Sequence, residues 1–148
     1  MRISVKGRYA LAAVLVMARN GGSGENVTVI SISGMLGISK IYLEQVFTQL
    51  KKANLLLASK GSKGGYQLSR PSSKITVWEV LSALESSFVE PAEGTVEDNA
   101  PEIETAMMEL VFLPLDGAVK GFLSGITIQD LLDFSERQKA EQAFMLNM

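Results

Sequence analysis

Neither cysteine nor histidine occurs anywhere in the 148 residues. Without them there can be no disulfide, thiolate nucleophile, Cys/His zinc site or cysteine-ligated iron–sulfur cluster. Ser–His and Cys–His catalytic arrangements are excluded on the same ground. The carboxylates that remain assemble no nucleophile, base and oxyanion site, so no enzyme, no metal site and no cofactor is expected. Long apolar runs are also missing. The stretch Ala10–Ala18 follows Lys6 and Arg8 and is far shorter than a membrane span. A charged start before an apolar stretch raises the question of a signal peptide. Against one, Met17-Ala18-Arg19-Asn20 lacks the small-x-small cleavage pattern, while Leu11, Val14, Leu15 and Ala18 recur at helical spacing. A core helix, and a cytoplasmic protein that does not engage membranes, are the expectation.

What is present is an ordinary globular composition, 47% hydrophobic and 20% charged. The net charge of −2 conceals a division. Eleven lysines and arginines against four acids leave residues 1–85 at +7; three bases against twelve acids leave residues 86–148 at −9. A basic half joined to an acidic half suits a polyanion-binding module with a separate association or regulatory module. The expected organisation is a polyanion-binding domain over residues 1–85, a linker or mobile loop over 86–100, and a helical dimerisation or regulatory segment over 101–148.

Ser4 is placed to cap a first helix whose buried stripe is Leu11, Val14, Leu15 and Ala18; Asn20-Gly21-Gly22-Ser23-Gly24 ends it. A short second helix starts at Thr28 and reaches Gly37, weakened at Gly34 by about 1 kcal/mol relative to alanine. Ser39 caps a third helix, and Asn54 is its left-handed stop. On that helix Leu43, Val46, Phe47 and Leu50 fall at i, i+3, i+4 and i+7 and form one apolar face. The opposite face carries Ile41, Gln45, Thr48 and Lys52, with Glu44 and Lys51 beside it. Glu44 and Gln45 suit base edges, and Ile41 suits a thymine methyl; a merely solvated helix face would look the same in isolation.

Two short apolar segments, Leu55 to Lys60 and Tyr66 to Ser69, flank Gly61-Ser62-Lys63-Gly64-Gly65 and read as a β-hairpin. The loop lacks the GxxxxGK[ST] order of a nucleotide-binding loop, and no helix follows at once. A basic hairpin directly after a recognition helix is the wing of a winged helix. Thr28, Lys40, Lys60, Lys63 and Gly64 complete the candidate DNA-binding set. The predicted class is mainly α with a small β-hairpin wing: a winged helix-turn-helix plus a long dimerisation helix.

Thr76-Val77-Trp78-Glu79 matches the capping-box pattern and opens a fourth helix, with Trp78, Leu81 and Leu84 packed back on the domain. Pro101, Glu102 and Glu104 suit the first turn of the next. Ile103, Met107, Leu110, Val111, Pro114, Ala118 and Phe122 then trace a nearly heptad seam. Little of the chain remains to cover that seam, so a partner subunit is the expected cover, with Met107, Leu110, Val111, Pro114, Ala118 and Phe122 at the interface. Pro114 should kink or interrupt the helix. Thr127 to Asp130 cap a last helix with Ile128, Leu131, Leu132 and Phe134 inward, fraying from Gln138 on.

With these residues in view, the chain resembles the Rrf-two family of bacterial winged helix-turn-helix regulators. The resemblance rests on Met1-Arg2-Ile3-Ser4, Lys6-Gly7-Arg8-Tyr9-Ala10-Leu11, Ile38-Ser39 and Tyr42-Leu43-Glu44-Gln45. Leu50-Lys51-Lys52-Ala53 and the stretch Gly61 to Leu68 continue it, and weaker similarity runs through Gly125-Ile126-Thr127 and Asp130-Leu131. It implies a homodimer whose winged domains meet successive grooves of a pseudo-palindromic double-stranded DNA operator, joined by the helix around residues 101–123. By that analogy Ser39 and Tyr42 hold phosphates, Glu44 and Gln45 face bases, and Lys60 and Lys63 lie near the minor groove or backbone. Lys60 stands where an arginine is common, and Asn54 where a glycine is usual. Members of the iron–sulfur and nitric-oxide-sensing type place three cysteines between the winged domain and the long helix. The corresponding stretch here, about Ser86 to Glu109, has none. The chain therefore resembles the branch without cluster-ligating cysteines, which includes a repressor of cysteine metabolism that acts with a partner enzyme. The implied role is repression of transcription; the alternative is an interaction module working mainly through a partner enzyme. No residue identifies an effector.

Overall fold

The computed structural model describes residues 3–20, 25–61, 64–90 and 93–147. Helix α1 (Val5–Asn20) begins where the Ser4 hydroxyl accepts the Gly7 amide at 3.1 Å. Its fully buried positions are Ala10, Ala13, Val14 and Met17, whereas Leu11, Leu15 and Ala18 are only half-buried. The buried stripe is thus rotated from the expected one, because α2, α3, α4, α7 and the second strand of the hairpin all pack on α1. Gly7 is needed for that packing: a Cβ there would lie 2.7 Å from the Glu85 carboxylate and 3.3 Å from Leu81.

Helix α2 (Val29–Leu36) is capped by Thr28 and ends at Gly37, whose φ of +68° turns the chain toward the next helix. Helix α3 (Lys40–Lys52) buries Leu43, Val46, Phe47 and Leu50 completely, the face that the spacing predicts. Each such side chain contributes about 1.5–3 kcal/mol of burial. The helix ends in a Schellman motif: Leu55 donates to the Leu50 carbonyl and Asn54 to that of Lys51, with Asn54 at φ +61°. The amide side chain of asparagine tolerates the left-handed region that would strain a branched residue.

Strands β1 (Leu56–Ser59) and β2 (Gly65–Leu68) pair antiparallel, placing Leu56 opposite Leu68, both buried. A third element joins them, since Val27 exchanges both backbone hydrogen bonds with Tyr66 at 2.7 and 2.9 Å. A Cβ at Gly65 would meet the Val27 carbonyl at 2.8 Å, so this bridge requires glycine.

Helix α4 (Val77–Leu84) carries the complete Thr76/Glu79 capping box and buries Val77, Val80 and Leu81. Trp78 departs from its expected core place. It is half-buried and stacks on Phe88 of the following 3-10 turn (Ser86–Phe88), at 5.4 Å and 11°. Within the expected linker, Thr95 and Val96 are held by a buried carboxylate. Glu104 accepts the Thr95 amide (3.2 Å), the Thr95 hydroxyl (3.0 Å) and the Val96 amide (2.9 Å). The Val96 hydrogen bond, opposed by desolvation and aided by Thr95, holds this carboxyl below its ordinary value.

Helix α5 (Pro101–Met107) passes through a π-turn (Met108–Phe112) into α6 (Leu113–Ser124). That turn accommodates Pro114. Leu113 donates to the carbonyl of Met108, five residues back, so the backbone widens just before the residue that has no amide to give. Helix α7 (Ile128–Leu146) opens with a second capping box, Thr127/Asp130, and remains helical past Gln138. Its start is clamped to the winged half: Val77 donates to Ile126, Ile128 donates to Ile75, both at 2.9 Å, and Ile128 is fully buried in the common core. Phe134 is exposed rather than inward, with Arg137 over its ring at 5.6 Å.

Candidate nucleic-acid interface

The outer face of α3 is open because its inner face is fully used. Ile41 is 72% exposed, with no cover from the other described residues over most of its surface. Glu44, Gln45 and Thr48 are exposed beside it. The Thr48 hydroxyl donates back to the Glu44 carbonyl at 2.8 Å. Lys40 and Glu44 form an i,i+4 pair at 3.9 Å with both side chains about half exposed. Such a pair is worth about 0–1 kcal/mol, so it yields readily to a stronger partner.

Two exposed hydroxyls stand at the helix starts. Ser39 Oγ accepts the Tyr42 amide at 3.2 Å, and Thr28 Oγ1 accepts the Ser31 amide at 3.1 Å. Capping uses a lone pair, and each O–H remains able to donate to a phosphate oxygen. Tyr42 is half-buried, its ring held edge-on against Tyr9 at 5.4 Å. Tyr9 is therefore a positioning residue outside the expected set; its only sequence signal was its place in the Lys6–Leu11 motif. A second aromatic edge contact, Phe47 on Tyr66 at 4.9 Å, ties α3 to the hairpin. Recognition helix and wing are thus fixed to each other through the core.

In the wing, Lys60 is exposed and has no ion-pair partner among the described residues. Gly64 is needed for the turn itself: its amide donates to the Gly61 carbonyl at 3.0 Å, and a Cβ would stand 2.6 Å from the Ser59 carbonyl. Lys63 lies outside the described residues. Behind the wing, Arg70 donates to Glu79 at 2.5 Å and to the Lys74 carbonyl at 3.1 Å. Burial raises the Glu79 carboxyl, but Arg70 and Thr76 outweigh it and leave the group below its ordinary value.

Two helices meeting at a left-handed glycine, the second fully backed by core and locked to a basic hairpin, define a winged helix-turn-helix DNA-binding protein. The comparisons with known proteins narrow the class. A family model, Rrf2, described as an iron-dependent transcriptional regulator, matches residues 3–133. The chain belongs to this family of transcriptional regulators and is not an enzyme. It is 36% identical to the HTH-type transcriptional regulator IscR of Cronobacter sakazakii, over 95% of this chain and 90% of that protein. Among solved structures it resembles CymR, the global cysteine regulator of B. subtilis, with a TM-score of 0.72 and 32% identity over 90% of this chain and 98% of that one. IscR of T. potens superposes at 0.71 with 28% identity, over 93% and 90% of the two chains.

The iron in the family description finds no matching donors here. The sequence has no cysteine or histidine, and among the described residues no three carboxylates are grouped to hold a metal ion. These residues do not fit an iron–sulfur cluster. Among the described residues, too, no helix is long and apolar enough to cross a membrane.

Proposed function

We propose that the chain is a homodimeric, sequence-specific repressor in the cytoplasm that occludes promoters at a two-fold DNA site, without an iron–sulfur cluster. The observation that carries this reading is the outer face of α3, where Ile41, Glu44 and Gln45 project from a helix rigidly backed by the core. Glu44 and Gln45 read base edges, Ile41 meets a thymine methyl, and Ser39, Lys40 and Tyr42 hold phosphates. Thr28 and Thr48 flank them, while the wing lays Lys60, Lys63 and Gly64 along the adjacent backbone or minor groove.

Dimerisation accounts for what α6 leaves uncovered. Leu110 is 79% and Phe122 70% exposed, with Val111, Pro114 and Ala118 exposed and Met107 half-buried along the same rod. A Cβ at Gly121 would meet no atom within 4 Å, so a second helix has room to approach closely. An apolar concavity of about 340 Å³ between Ile3, Ala118, Val119, Phe122 and Leu123 lies on the same helix. Two basic domains joined in this way match a palindrome.

The second reading, an interaction module acting through a partner enzyme, is favoured by the far end of α7, where Phe144, Met145 and Leu146 are exposed. One experiment separates the two. Genomic fragments are selected on the purified protein at near-physiological salt and sequenced. A recurrent two-fold motif supports the repressor; equal, salt-sensitive retention of every duplex overturns it.

A further inference from the structure

Where α4, the turn after it and α6 meet, a cleft of about 400 Å³ is lined by Trp78, Phe88, Val89, Asp116, Gly117 and Lys120. One wall is apolar: the stacked rings of Trp78 and Phe88, with the exposed Val89 beside them. The other wall is α6, which presents Asp116 and, one turn on, Lys120. An aspartate four residues before a lysine is well placed for an ion pair along a helix. That pair is not made. Lys120 Nζ instead lies over the Trp78 ring at 5.8 Å, and neither charge has an ion-pair partner among the described residues. Gly117 stands between them, and a Cβ there would meet nothing within 4 Å, so nothing among the described residues calls for glycine at this position. A helix-interior glycine with no packing reason leaves space for something else.

We propose that this cleft binds a free amino acid with an apolar side chain. Its carboxylate pairs with Lys120, its ammonium with Asp116, and its side chain rests on Trp78, Phe88 and Val89. Two opposite charges one helical turn apart match a zwitterion, where a simple anion or cation would leave one of them facing a like charge. The volume is at the lower end of small-molecule sites, which fits a single residue rather than a peptide. The site also lies at the joint between the winged half and the long helix, so occupancy bears on how the two halves are held. That regulatory meaning rests on the DNA-binding reading above; the binding itself does not.

Trp78 is the sole tryptophan, so its intrinsic fluorescence reports on the cleft directly and without DNA. The full-length protein is titrated with L-leucine, L-isoleucine, L-valine and L-methionine, and with isocaproate and isoamylamine, the acid-only and amine-only relatives of leucine. At least one amino acid should give a saturable change, with leucine about ten-fold or more tighter than either half-molecule if leucine is the binder. Lys120→Gln and Asp116→Asn should each weaken binding about ten-fold, and Gly117→Leu should abolish it without lowering the melting temperature. The proposal is overturned by no saturable change with any of the four amino acids, by half-molecules binding as well as leucine, or by an affinity that Lys120→Gln leaves unchanged. Failure to select a DNA motif would sink the repressor reading and leave this titration unaffected.

Discussion

Helices α3 and α6 are of similar length and similarly apolar on one side, yet they meet opposite fates. In α3 the apolar face is entirely buried by this chain, and what remains outside is polar except for Ile41. In α6 no residue is buried, and the apolar face is what remains outside. The charge follows the same division, +7 before residue 86 and −9 after it. A helix whose hydrophobic side is satisfied within the chain can offer a polar face to a polyanion. A helix whose hydrophobic side is not satisfied is unfinished until something else packs on it. On the proposed reading the first finds its partner through charge and hydrogen bonds, the second through apolar area.

That contrast can be broken at either end. Phe47→Ala, at the centre of the satisfied face, should destabilise the fold by about 3–5 kcal/mol, measured by chemical denaturation. It also removes the edge contact that holds Tyr66 in β2, so wing and recognition helix should loosen together. If stability falls by less than about 1 kcal/mol, α3 is not the centre of the core. A charge on the unsatisfied face should do the reverse. Val111→Asp should leave the melting temperature of the domain nearly unchanged but yield monomers in sedimentation, with affinity for a two-fold site down about 100-fold. An unchanged mass in solution would rule out this seam as the main interface.

Between these extremes lies the recognition face. Gln45→Ala should cost about 1–3 kcal/mol at the specific site, relax base preference at one position in each half, and leave stability unaltered. A uniform loss across all sequences would reassign Gln45 from base reading to backbone contact.

Much of this division was legible before the structure. The i, i+3, i+4, i+7 spacing of Leu43, Val46, Phe47 and Leu50 located the buried face of α3, and Ser39, Thr76, Thr127 and Asn54 marked helix ends through local hydrogen bonding alone. Ile41, Glu44, Gln45 and Thr48 followed as the complement of that face, while Ser39, Tyr42, Lys60 and Lys63 came from the family resemblance, and of these only Lys63 falls outside the described residues. What was not legible depends on packing between distant segments. The stripe of α1 turned because five elements pack on it, a fact absent from its own periodicity. Trp78 went to Phe88 instead of the core, and Ile128 joined the winged core through a backbone clamp to Ile75 that no pattern near residue 128 announces. Pro114 signalled a disturbance, but not that a π-turn would absorb it. Tyr9 supports Tyr42 from another helix, which sequence spacing does not reveal.

The smallest effect concerns how the acidic half is held where it meets the basic one. Glu104 looked like a first-turn carboxylate favouring a helix start, yet its side chain is turned to the Thr95 and Val96 amides. Its folded value is depressed below the ordinary 4.5. The stabilisation it supplies is therefore complete above that value and is lost as pH falls through the lower folded one. Hydrogen-exchange protection at Thr95 and Val96 should accordingly be constant from neutral pH down to about 4.5 and decline below it. In Glu104→Ala the same amides should lack protection at every pH, while those of Leu43 to Leu50 in α3 keep theirs. Loss of protection confined to residues 93–100 would show that one carboxylate orders the junction independently of the core. A simultaneous loss in α3 would mean that the two halves are less separate than their charge suggests, and that signals arriving at the junction have a direct route to the recognition helix.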